Sequence, residues 1–594
     1  MTNSIFIRED PETISPGASA RVINCFYEEG HEYFYDCLDT SFFKPCTEDI
    51  YSELLSRLDK TKNLFFPGFR YQGVDLLSCF KLLLFGYAVD CAVAAQNLIC
   101  FFTKNPDPVF YIEDGKRDWT TPYLNQIIEM CPQKIRERIR KFTHHPGRDV
   151  CGKKEKFIWP DLWPDQLRFI SKSPTIAVYS DFQRAKSVVR LVRDNGCVYF
   201  ADSHAPRMFI NSLKEGFSYY QTSAPQKIDP SYHEIVGEFQ KAIQHVAPFS
   251  DFKIAGLDCA SVLALKSEQL AKDVLPSLLF QIDQILHFFC TNNSVRTVLL
   301  DEDITPTKNA FCQIAKRFDV TTFVQSHGTL AARQGFIPVT ANAIFVWGQQ
   351  QKKILVDWGC PEKQIIVSGC SRYHQYQVLE DRCIREKVFK QLGFNPDTRT
   401  VLFAPHPLQS ERHFSASIIR KRIASILNVL LGFANIQVIL KLHPGEKYQA
   451  YYEQLYKIAT ASRKVRIIKK KDPFLLIKAS DFIIAHDSTI AVDGFALNRN
   501  VIFYSVLPLE SQLKHSVSDF DKYAVFYQPS DESELRGVVE LLIKDPSVRP
   551  PNARWEEARK ECLNEEGGRL PEEIIASYLC GESEPFQELT HARE

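Results

Sequence analysis

The sequence of 594 residues carries no net charge, because 72 lysines and arginines are matched by 72 aspartates and glutamates. Without a global electrostatic field, nucleic acid is not expected as a partner. The chain also lacks a GxGxxG segment and a GKS loop, which argues against a dinucleotide dehydrogenase and a P-loop enzyme. Any recognition of phosphate must therefore be local.

Organised cysteine pairs are also missing. The 17 cysteines are scattered, with no CxxC pair and no spacing typical of a zinc site or a disulfide framework. The opening residues, MTNSIFIREDPE, show no signal-peptide pattern. Both features predict a reducing, cytoplasmic environment. An apolar content of 45% with 24% charged residues is typical of a globular protein.

The longest apolar segment, residues 76–102, approaches the length of about 20 residues that spans a bilayer. Lys81, Asp90, Gln96 and Asn97 interrupt it. Because each charge at mid-membrane costs about 3 kcal/mol, we expect a buried helix or helix pair in a soluble domain.

Two later segments share a pattern of strand, loop and helix. They are LKLHPGEKY at residues 440–448 and ASDFIIAHDSTIAVDGFALNRNVIFY at residues 479–504. In each, an apolar β-branched run ends abruptly in small, polar or charged residues. Ligands of open parallel sheets bind beyond the carboxyl ends of the strands. The two loops are therefore predicted to line one cleft.

The HDST loop suits an anionic ligand. Asp487 or Ser488 can cap the following helix, whose free N–H groups and dipole attract an anion, and Thr489 adds a hydroxyl donor. An ordinary helix cap without a ligand is the alternative interpretation.

The LKLHP segment offers further donors. His443, stiffened by Pro444, can donate to phosphate or ribose oxygens. Lys441 lies two residues earlier on the same face of the strand, where it could pair with phosphate. The alternative is an ordinary loop histidine.

A βαβ unit is predicted upstream of both motifs. Its first strand, TVLL, ends in Asp301, Glu302 and Asp303, and its second, VTTFVQ, ends in His327 and Gly328. Candidates for a general base are His327, Asp301 and Asp303. The acidic run could equally be a solvated strand end or a helix cap.

An earlier βα unit, TIAVYSDFQRAKSVVRLV, places Ser180, Asp181 and Arg184 in a loop that should face the same cleft. Asp181 either caps the helix or serves as an acceptor-side carboxylate.

The series QSHG, FVWG, WGCPEKQIIVSGCSRY, VLFAPHP, LKLHPGE and HDST resembles the two-domain GT-B glycosyltransferases. More narrowly, it is similar to bacterial capsule and wall polymer enzymes, namely CDP-glycerol glycerophosphotransferases and the sialyl and Kdo transferases that use CMP-sugars. The resemblance covers residues 297–504. It implies an α/β fold with a pair of Rossmann-like domains, a nucleotide-sugar donor and a saccharide or lipid-linked acceptor. Peripheral association with the inner membrane stays open, and neither a metal nor a cofactor is expected.

The resemblance also implies residue roles. By analogy with the glycerophosphotransferases, His327 would be the catalytic base and His443 would hold the donor's phosphates. By analogy with the sialyltransferases, the base would lie in the acidic run of residues 301–303, and His443, Ser488 and Thr489 would bind CMP. The chain departs from the usual motifs of both families at HDST and at DED, so the choice between CMP and CDP donors stays open.

The breaks in pattern predict four parts. Residues 1–150 form a largely helical accessory region or an elaborated start of the first Rossmann-like domain. Residues 170–340 form that acceptor-side domain, and residues 341–545 form a donor-side nucleotide-sugar domain. Residues 546–594 form a helical tail, which is expected to cross back to the first domain as in many proteins of this fold.

Two other functions fit the same fold. A UDP-sugar 2-epimerase would need a different set of carboxylates and histidines and no acceptor site. A non-catalytic sugar-binding or scaffold subunit of a polysaccharide assembly complex would explain the departures at DED and HDST.

Overall fold

The computed structural model describes a little over two thirds of the chain. These residues are 5–8, 22–23, 48–63, 69–104, 110–113, 128–137, 139–142, 168–169, 174–180, 182–201, 217–222, 230–246, 251–254, 256–330, 333–405, 416–443, 464–486, 488–504, 517–565 and 568–582.

The described strands form two large sheets and three small ones. The strands are Ile5–Arg8, Val22–Ile23, Arg70–Tyr71, Val74–Asp75, Phe110–Glu113, Ile139–Phe142, Arg168–Phe169, Ile176–Tyr179, Cys197–Ala201, Ser218–Gln221, Lys253–Ile254, Leu257–Asp258, Thr297–Leu300, Thr321–Gln325, Ala343–Val346, Ile365–Val367, Arg399–Ala404, Ile436–Lys441, Val465–Ile468, Phe482–Ala485 and Asn500–Phe503.

Helices connect most of these strands and cover both large sheets. The helices are Glu48–Asn63, Leu76–Lys104, Gln133–Arg136, Phe182–Leu191, Ser231–Val246, Ala260–Asp273, Leu275–Thr291, Pro306–Arg317, Gln349–Asp357, Ser371–Gln377, Asp381–Leu392, Ala416–Leu431, Pro473–Ala479, Ile490–Ala496, Glu532–Lys544, Trp555–Leu563 and Pro571–Leu579.

The first large sheet has eight strands, of which seven are parallel. The edge strand Arg168–Phe169 is antiparallel. The strand Ile176–Tyr179 pairs with the next strand along the chain, Cys197–Ala201, on one side and with Thr297–Leu300 on the other. The order of the strands therefore reverses between Ile176–Tyr179 and Thr297–Leu300, which is the point where open α/β sheets bind ligands.

The second large sheet has five strands, all parallel. Its order reverses between Arg399–Ala404 and Phe482–Ala485, because Arg399–Ala404 also pairs with Ile436–Lys441. The predicted α/β class with two Rossmann-like parallel sheets is confirmed. Side chains on both faces of these central strands are buried, as continuous apolar runs in parallel sheets require.

The described N-terminal helices share their core with the first sheet. Buried side chains of Glu48–Asn63 and Leu76–Lys104 belong to the same apolar cluster as those of Ala260–Asp273 and Pro306–Arg317. The N-terminal region also contributes a four-stranded sheet, so it is not purely helical.

The segment predicted as one buried helix or a helix pair is the single helix Leu76–Lys104. In this helix the side chain of Lys81 is 2% exposed, and its ammonium donates to the carbonyl of Pro338 at 3.2 Å. That bond explains how a lysine is tolerated in an apolar run.

Within the described residues, no single helix is long and apolar enough to cross a membrane. The helices Ala260–Asp273 and Leu275–Thr291, which are bent by 54° at their junction, together have the length and composition of a membrane span.

The first sheet extends past residue 341, where the sequence placed the start of the second domain. Ala343–Val346 and Ile365–Val367 pair in parallel with the first sheet, and the second sheet begins only with Arg399–Ala404. The strands after residue 341 look like the start of a new unit in sequence, because they too are apolar runs followed by helices.

The C-terminal helix Pro571–Leu579 returns to the first sheet. Ile575, Ala576 and Leu579 are buried in the apolar cluster of that sheet, and Thr297 donates to the carbonyl of Leu579 at 2.7 Å. The preceding helix packs its backbone against Gly348, where an added Cβ would overlap the carbonyl oxygen of Glu561 and the backbone of Cys562.

We therefore expect Gly348→Ala to destabilise the protein by about 1 to 3 kcal/mol, the usual cost of overpacking, because backbone rather than a flexible side chain fills the space. Thermal and urea denaturation would measure the change.

Gly237→Ala is the matched control, since nothing lies within 4 Å of a Cβ at that helical position. There we expect equal or greater stability, by up to about 1 kcal/mol, from helix propensity. Equal stability of both variants would contradict this docking of the C-terminal helices.

Candidate functional site

The turn at residues 326–328, which we call the HG turn, follows the strand Thr321–Gln325 and is held from three directions. The Ser326 hydroxyl donates to the carbonyl of Gly328 at 3.1 Å, and Gln351 donates to the same carbonyl at 3.1 Å. The indole N–H of Trp347 donates to the carbonyl of Ser326 at 3.2 Å. The backbone that carries His327 is therefore fixed before any ligand binds.

The His327 imidazole is stacked on the ring of Phe336, with centroids 4.7 Å apart and planes 5° from parallel. Burial, and next the positive charge of Arg184, lower the pKa of His327, while Glu302 and Asp301 oppose this shift. The ring is thus neutral at physiological pH and can accept a proton.

Asp301 lies at the reversal point of the first sheet and bonds to two cations. Arg184 approaches Asp301 Oδ2 at 3.3 Å, and the ammonium of Lys308 pairs with Asp301 Oδ1 and, at 3.2 Å, with Glu302. Burial opposes the charge of Lys308, but Asp301 and Glu302 more than compensate, so the pKa of the ammonium is raised. Arg184, expected in a loop that faces the cleft, thus pairs with Asp301. Asp181 lies outside the described residues.

The other two carboxylates of the acidic run hold the backbone. Glu302 accepts from the N–H groups of Ile304 and Thr305 at 2.8 and 2.9 Å, which caps the next helix. Asp303 is 3% exposed and accepts from the N–H groups of Thr340 and Ala341 at 2.5 and 2.8 Å. Burial raises the pKa of Asp303. These contacts are those of a structural residue, whereas Asp303 was predicted, together with Asp301, as a candidate general base.

On the second sheet, Lys441 does not present its ammonium to an open loop. The side chain is 6% exposed, and its Nζ donates to the carbonyls of Leu442 and Lys469 at 2.8 and 3.0 Å. Burial lowers its pKa. His443, at the end of the same strand, is exposed, and Pro444 lies outside the described residues.

Ser488 and Thr489 follow Phe482–Ala485, at the reversal point of the second sheet. The Ser488 hydroxyl accepts from the N–H of Ile490 at 3.4 Å, and Thr489 is the N-cap residue of the helix Ile490–Ala496. Asp487 lies outside the described residues.

The two reversal points meet. A Cβ added to Gly328 would lie 3.4 Å from the Thr489 methyl group, so the HG turn lies next to the loop that carries Thr489. The structure thus brings His327 and Gly328 of the first sheet beside Ser488 and Thr489 of the second, and we call this place the cleft.

Arg372 was not singled out from the sequence, although it lies in the SGCSRY segment. Its guanidinium is 5.5 Å from the ring centre of Trp347 and 6.0 Å from that of Phe474. Burial would lower its pKa, but Cys370, Tyr373 and Asp493 raise it overall. Its charge also lowers the pKa of His327, which places a permanent cation near the cleft.

Lys308, Gln351 and Trp347 were missed as well. Lys308 lies in the first turn of the helix after the acidic run, a position from which a lysine can reach back to the strand end. Among the described residues, no group of three or more His, Cys, Asp or Glu side chains is arranged to hold a metal ion.

Comparisons with known proteins give distant structural similarity only. No protein-family model and no curated protein matches the sequence. A glycosyltransferase structure from Rickettsia africae ESF-5 is 11% identical, covering 69% of this chain and 100% of that one at a TM-score of 0.43. A UDP-GlcNAc 2-epimerase from Neisseria meningitidis, bound to UDP-GlcNAc, is 14% identical, covering 68% and 99% at a TM-score of 0.44. Neither carries an argument about activity.

We expect the pKa of His327 to respond in opposite directions to two neighbouring changes. Arg184→Gln removes a positive charge and should raise that pKa, whereas Glu302→Gln removes a negative charge and should lower it. Histidine-selective NMR titration would follow the His327 resonance, assigned with His327→Gln.

The resonance of the exposed His287 serves as the internal reference in all three proteins. If the His327 resonance stays unchanged in both variants, the charged groups do not surround the imidazole as described.

Proposed function

We propose that the chain is a transferase that moves a sugar or a polyol phosphate from a CMP- or CDP-linked donor to a hydroxyl of a surface-polysaccharide or lipid-linked acceptor, without a metal. The observation that carries the proposal is the proximity of Gly328 to Thr489, whose methyl group would lie 3.4 Å from a Cβ added to the glycine. It makes one site from a first-sheet turn that holds an imidazole base and a second-sheet loop that holds hydroxyl donors.

On the acceptor side, His327 is the general base. Its lowered pKa leaves the imidazole neutral, and the stacking on Phe336 restricts its orientation. A base of this kind takes the proton of the attacking hydroxyl when the two groups lie within about 3 Å.

Asp301 is a positioning residue in this proposal. Both of its oxygens are engaged by cations, Lys308 on one and Arg184 on the other, which makes it a poor proton acceptor. The pair instead holds Arg184 near His327. Asp303 is left out of the reaction because its carboxylate fixes the backbone of residues 340–341.

On the donor side, Ser488, Thr489 and the exposed His443 bind the nucleotide. Arg184 and Arg372 supply positive charge where the nucleotide leaves as an anion, which is the main electrostatic requirement of the reaction. Lys441 supports the strand end rather than touching phosphate, because carbonyl oxygens already occupy its ammonium.

A UDP-sugar 2-epimerase is the second candidate. One observation favours it: Asp301 and Glu302 both act electrostatically on His327, so the cleft holds carboxylates as well as an imidazole for proton transfers on a bound sugar. The base of the nucleotide and the need for an acceptor distinguish the two enzymes. A scaffold subunit would need neither a nucleotide nor an acceptor.

Cytidine nucleotides should selectively stabilise the protein. A ligand that binds only the folded state at 100 times its Kd raises the free energy of unfolding by about 2.7 kcal/mol. Thermal-shift titration with CMP, CDP, UDP and their sugar conjugates would measure this, and Ser488→Ala and Thr489→Val should weaken it.

Ser425→Ala, a serine substitution on a second-sheet helix outside the cleft, is the matched control. Preference for uridine nucleotides would favour the epimerase, and no response to any nucleotide would favour the scaffold.

Removing the base should abolish turnover without unfolding the chain. We expect His327→Ala to lower kcat by about 10²- to 10⁴-fold, the usual contribution of a general base. With wild type, the rate should fall as pH drops through the His327 pKa, below its ordinary value of about 6.5; in Arg184→Gln this limb should move to higher pH.

The assay is release of nucleotide from the donor that the binding screen selects, in the presence and absence of acceptor. His287→Ala controls for loss of an exposed histidine. Full activity of His327→Ala would refute the proposed base.

A further inference from the structure

A second cavity, distinct from the cleft, lies at the other end of the Ile490–Ala496 helix. It has a volume of about 540 Å³ and is lined by Ala496 and Leu497, whereas Thr489 at the amino end of the helix lies in the cleft. Small-molecule sites commonly enclose about 300 to 1,000 Å³. The cavity is therefore large enough for a metabolite.

Three parts of the chain build the walls. The first wall comes from residues 370–377, which follow the last strand of the first sheet. The second comes from Lys478 and residues 496–499, which lie in connections between strands of the second sheet. The third comes from the C-terminal helices Trp555–Leu563 and Pro571–Leu579. None of the residues predicted for the cleft lines it.

The ion pairs in the walls leave positive charge over. Lys478 and Arg499 both pair with the single carboxylate of Asp381. Arg559 pairs with Glu565. One carboxylate therefore neutralises only one of the two positive charges of Lys478 and Arg499, whereas the charges of Arg559 and Glu565 cancel.

Arg549, directly behind Trp555, adds another cation. Its guanidinium stacks 3.7 Å from the Trp555 ring centre, and it donates to the side-chain oxygen of Asn498 at 2.6 Å. Burial, and next the charges of Arg559 and Arg499, lower its pKa. The guanidinium groups around this cavity therefore repel one another.

Arg569 lies at the rim of the cavity, where its guanidinium N–H groups can donate to a ligand. Within the described residues its side chain makes no ion pair, and it donates only weakly to the carbonyl of Glu573, at 3.4 Å. Among the residues that line the cavity, four lysines and arginines face three carboxylates. Of those three, Glu556 is exposed on the rim, where solvent screens its charge.

We propose that this cavity binds a small phosphate ester, with Arg569 donating to the phosphate, Arg499 supplying positive charge beside it, and the apolar wall of Leu497 and Trp555 contacting the rest of the ligand. A guanidinium presents paired N–H donors that match phosphate geometry. A ligand of one or two negative charges balances the excess in the walls. The site is independent of the nucleotide site proposed for the cleft.

Isothermal titration of the full chain would test this with inorganic phosphate, glucose 1-phosphate and AMP as probes, and glucose as the uncharged reference. These probes distinguish a free phosphate, a sugar phosphate and a nucleotide as the source of the group. We expect at least one ester to bind and glucose not to bind. Quenching of the Trp555 fluorescence, absent in Trp555→Phe, should accompany binding.

Charge reversal at the rim gives the decisive comparison. Arg569→Glu should weaken binding at least tenfold, and Arg569→Gln by a smaller factor. Arg193→Glu, a change at an exposed arginine that does not line the cavity, should bind as wild type does. Because Arg569 is exposed, its variants should keep the melting temperature of wild type.

His443→Ala and Ser488→Ala separate this proposal from that of the cleft, since both variants should bind the ester normally. The proposal is overturned if no probe binds, or if binding survives Arg569→Glu but is lost in the cleft variants.

Discussion

The cleft depends on one buried carboxylate that joins the two sheets. Asp493, in the helix Ile490–Ala496, accepts a hydrogen bond from the Tyr373 hydroxyl at 2.9 Å. Burial raises the pKa of Asp493, while the nearby Arg372 opposes that rise. Burying a carboxyl group is costly unless it is hydrogen-bonded, so the bond from the Tyr373 hydroxyl stabilises Asp493 in this position. The segment after the first sheet is thereby tied to the helix that carries Thr489.

The same joint orders the groups around the imidazole. Trp347 donates to the HG turn on one side and lies near the Arg372 guanidinium on the other. A change in the position of the second sheet must therefore move a cation relative to His327. The electrostatics of the proposed base are in this way linked to the relative placement of the two sheets.

Much of the fold could be predicted from the sequence, because parallel strands buried on both faces are written as continuous apolar runs. The loops at their carboxyl ends followed from the same pattern, which is why His327, Ser488 and Thr489 could be named. The domain boundary at residue 341 could not be placed, since strand runs and helices continue across it without a change in composition. Which sheet a strand joins is decided by tertiary pairing.

The roles of individual charges were harder to predict. Asp301, Glu302 and Asp303 are adjacent in sequence, yet one pairs with cations, one caps a helix and one binds a distant backbone segment. Strand alternation placed Lys441 on a face but could not show that its flexible stem would return the ammonium to backbone carbonyls. Lys308 and Arg372 reach the cleft from helices, where strand-end patterns give no signal.

The return of Pro571–Leu579 to the first sheet has a consequence for biosynthesis. Ile575 and Leu579 complete an apolar cluster whose other members include Val178 and Phe323, hundreds of residues earlier. Contacts so distant along the chain close late and slow the folding of a large protein. The first sheet therefore keeps an uncovered apolar face while the second is being synthesised, and the growing chain needs protection from aggregation until the helix Pro571–Leu579 leaves the ribosome.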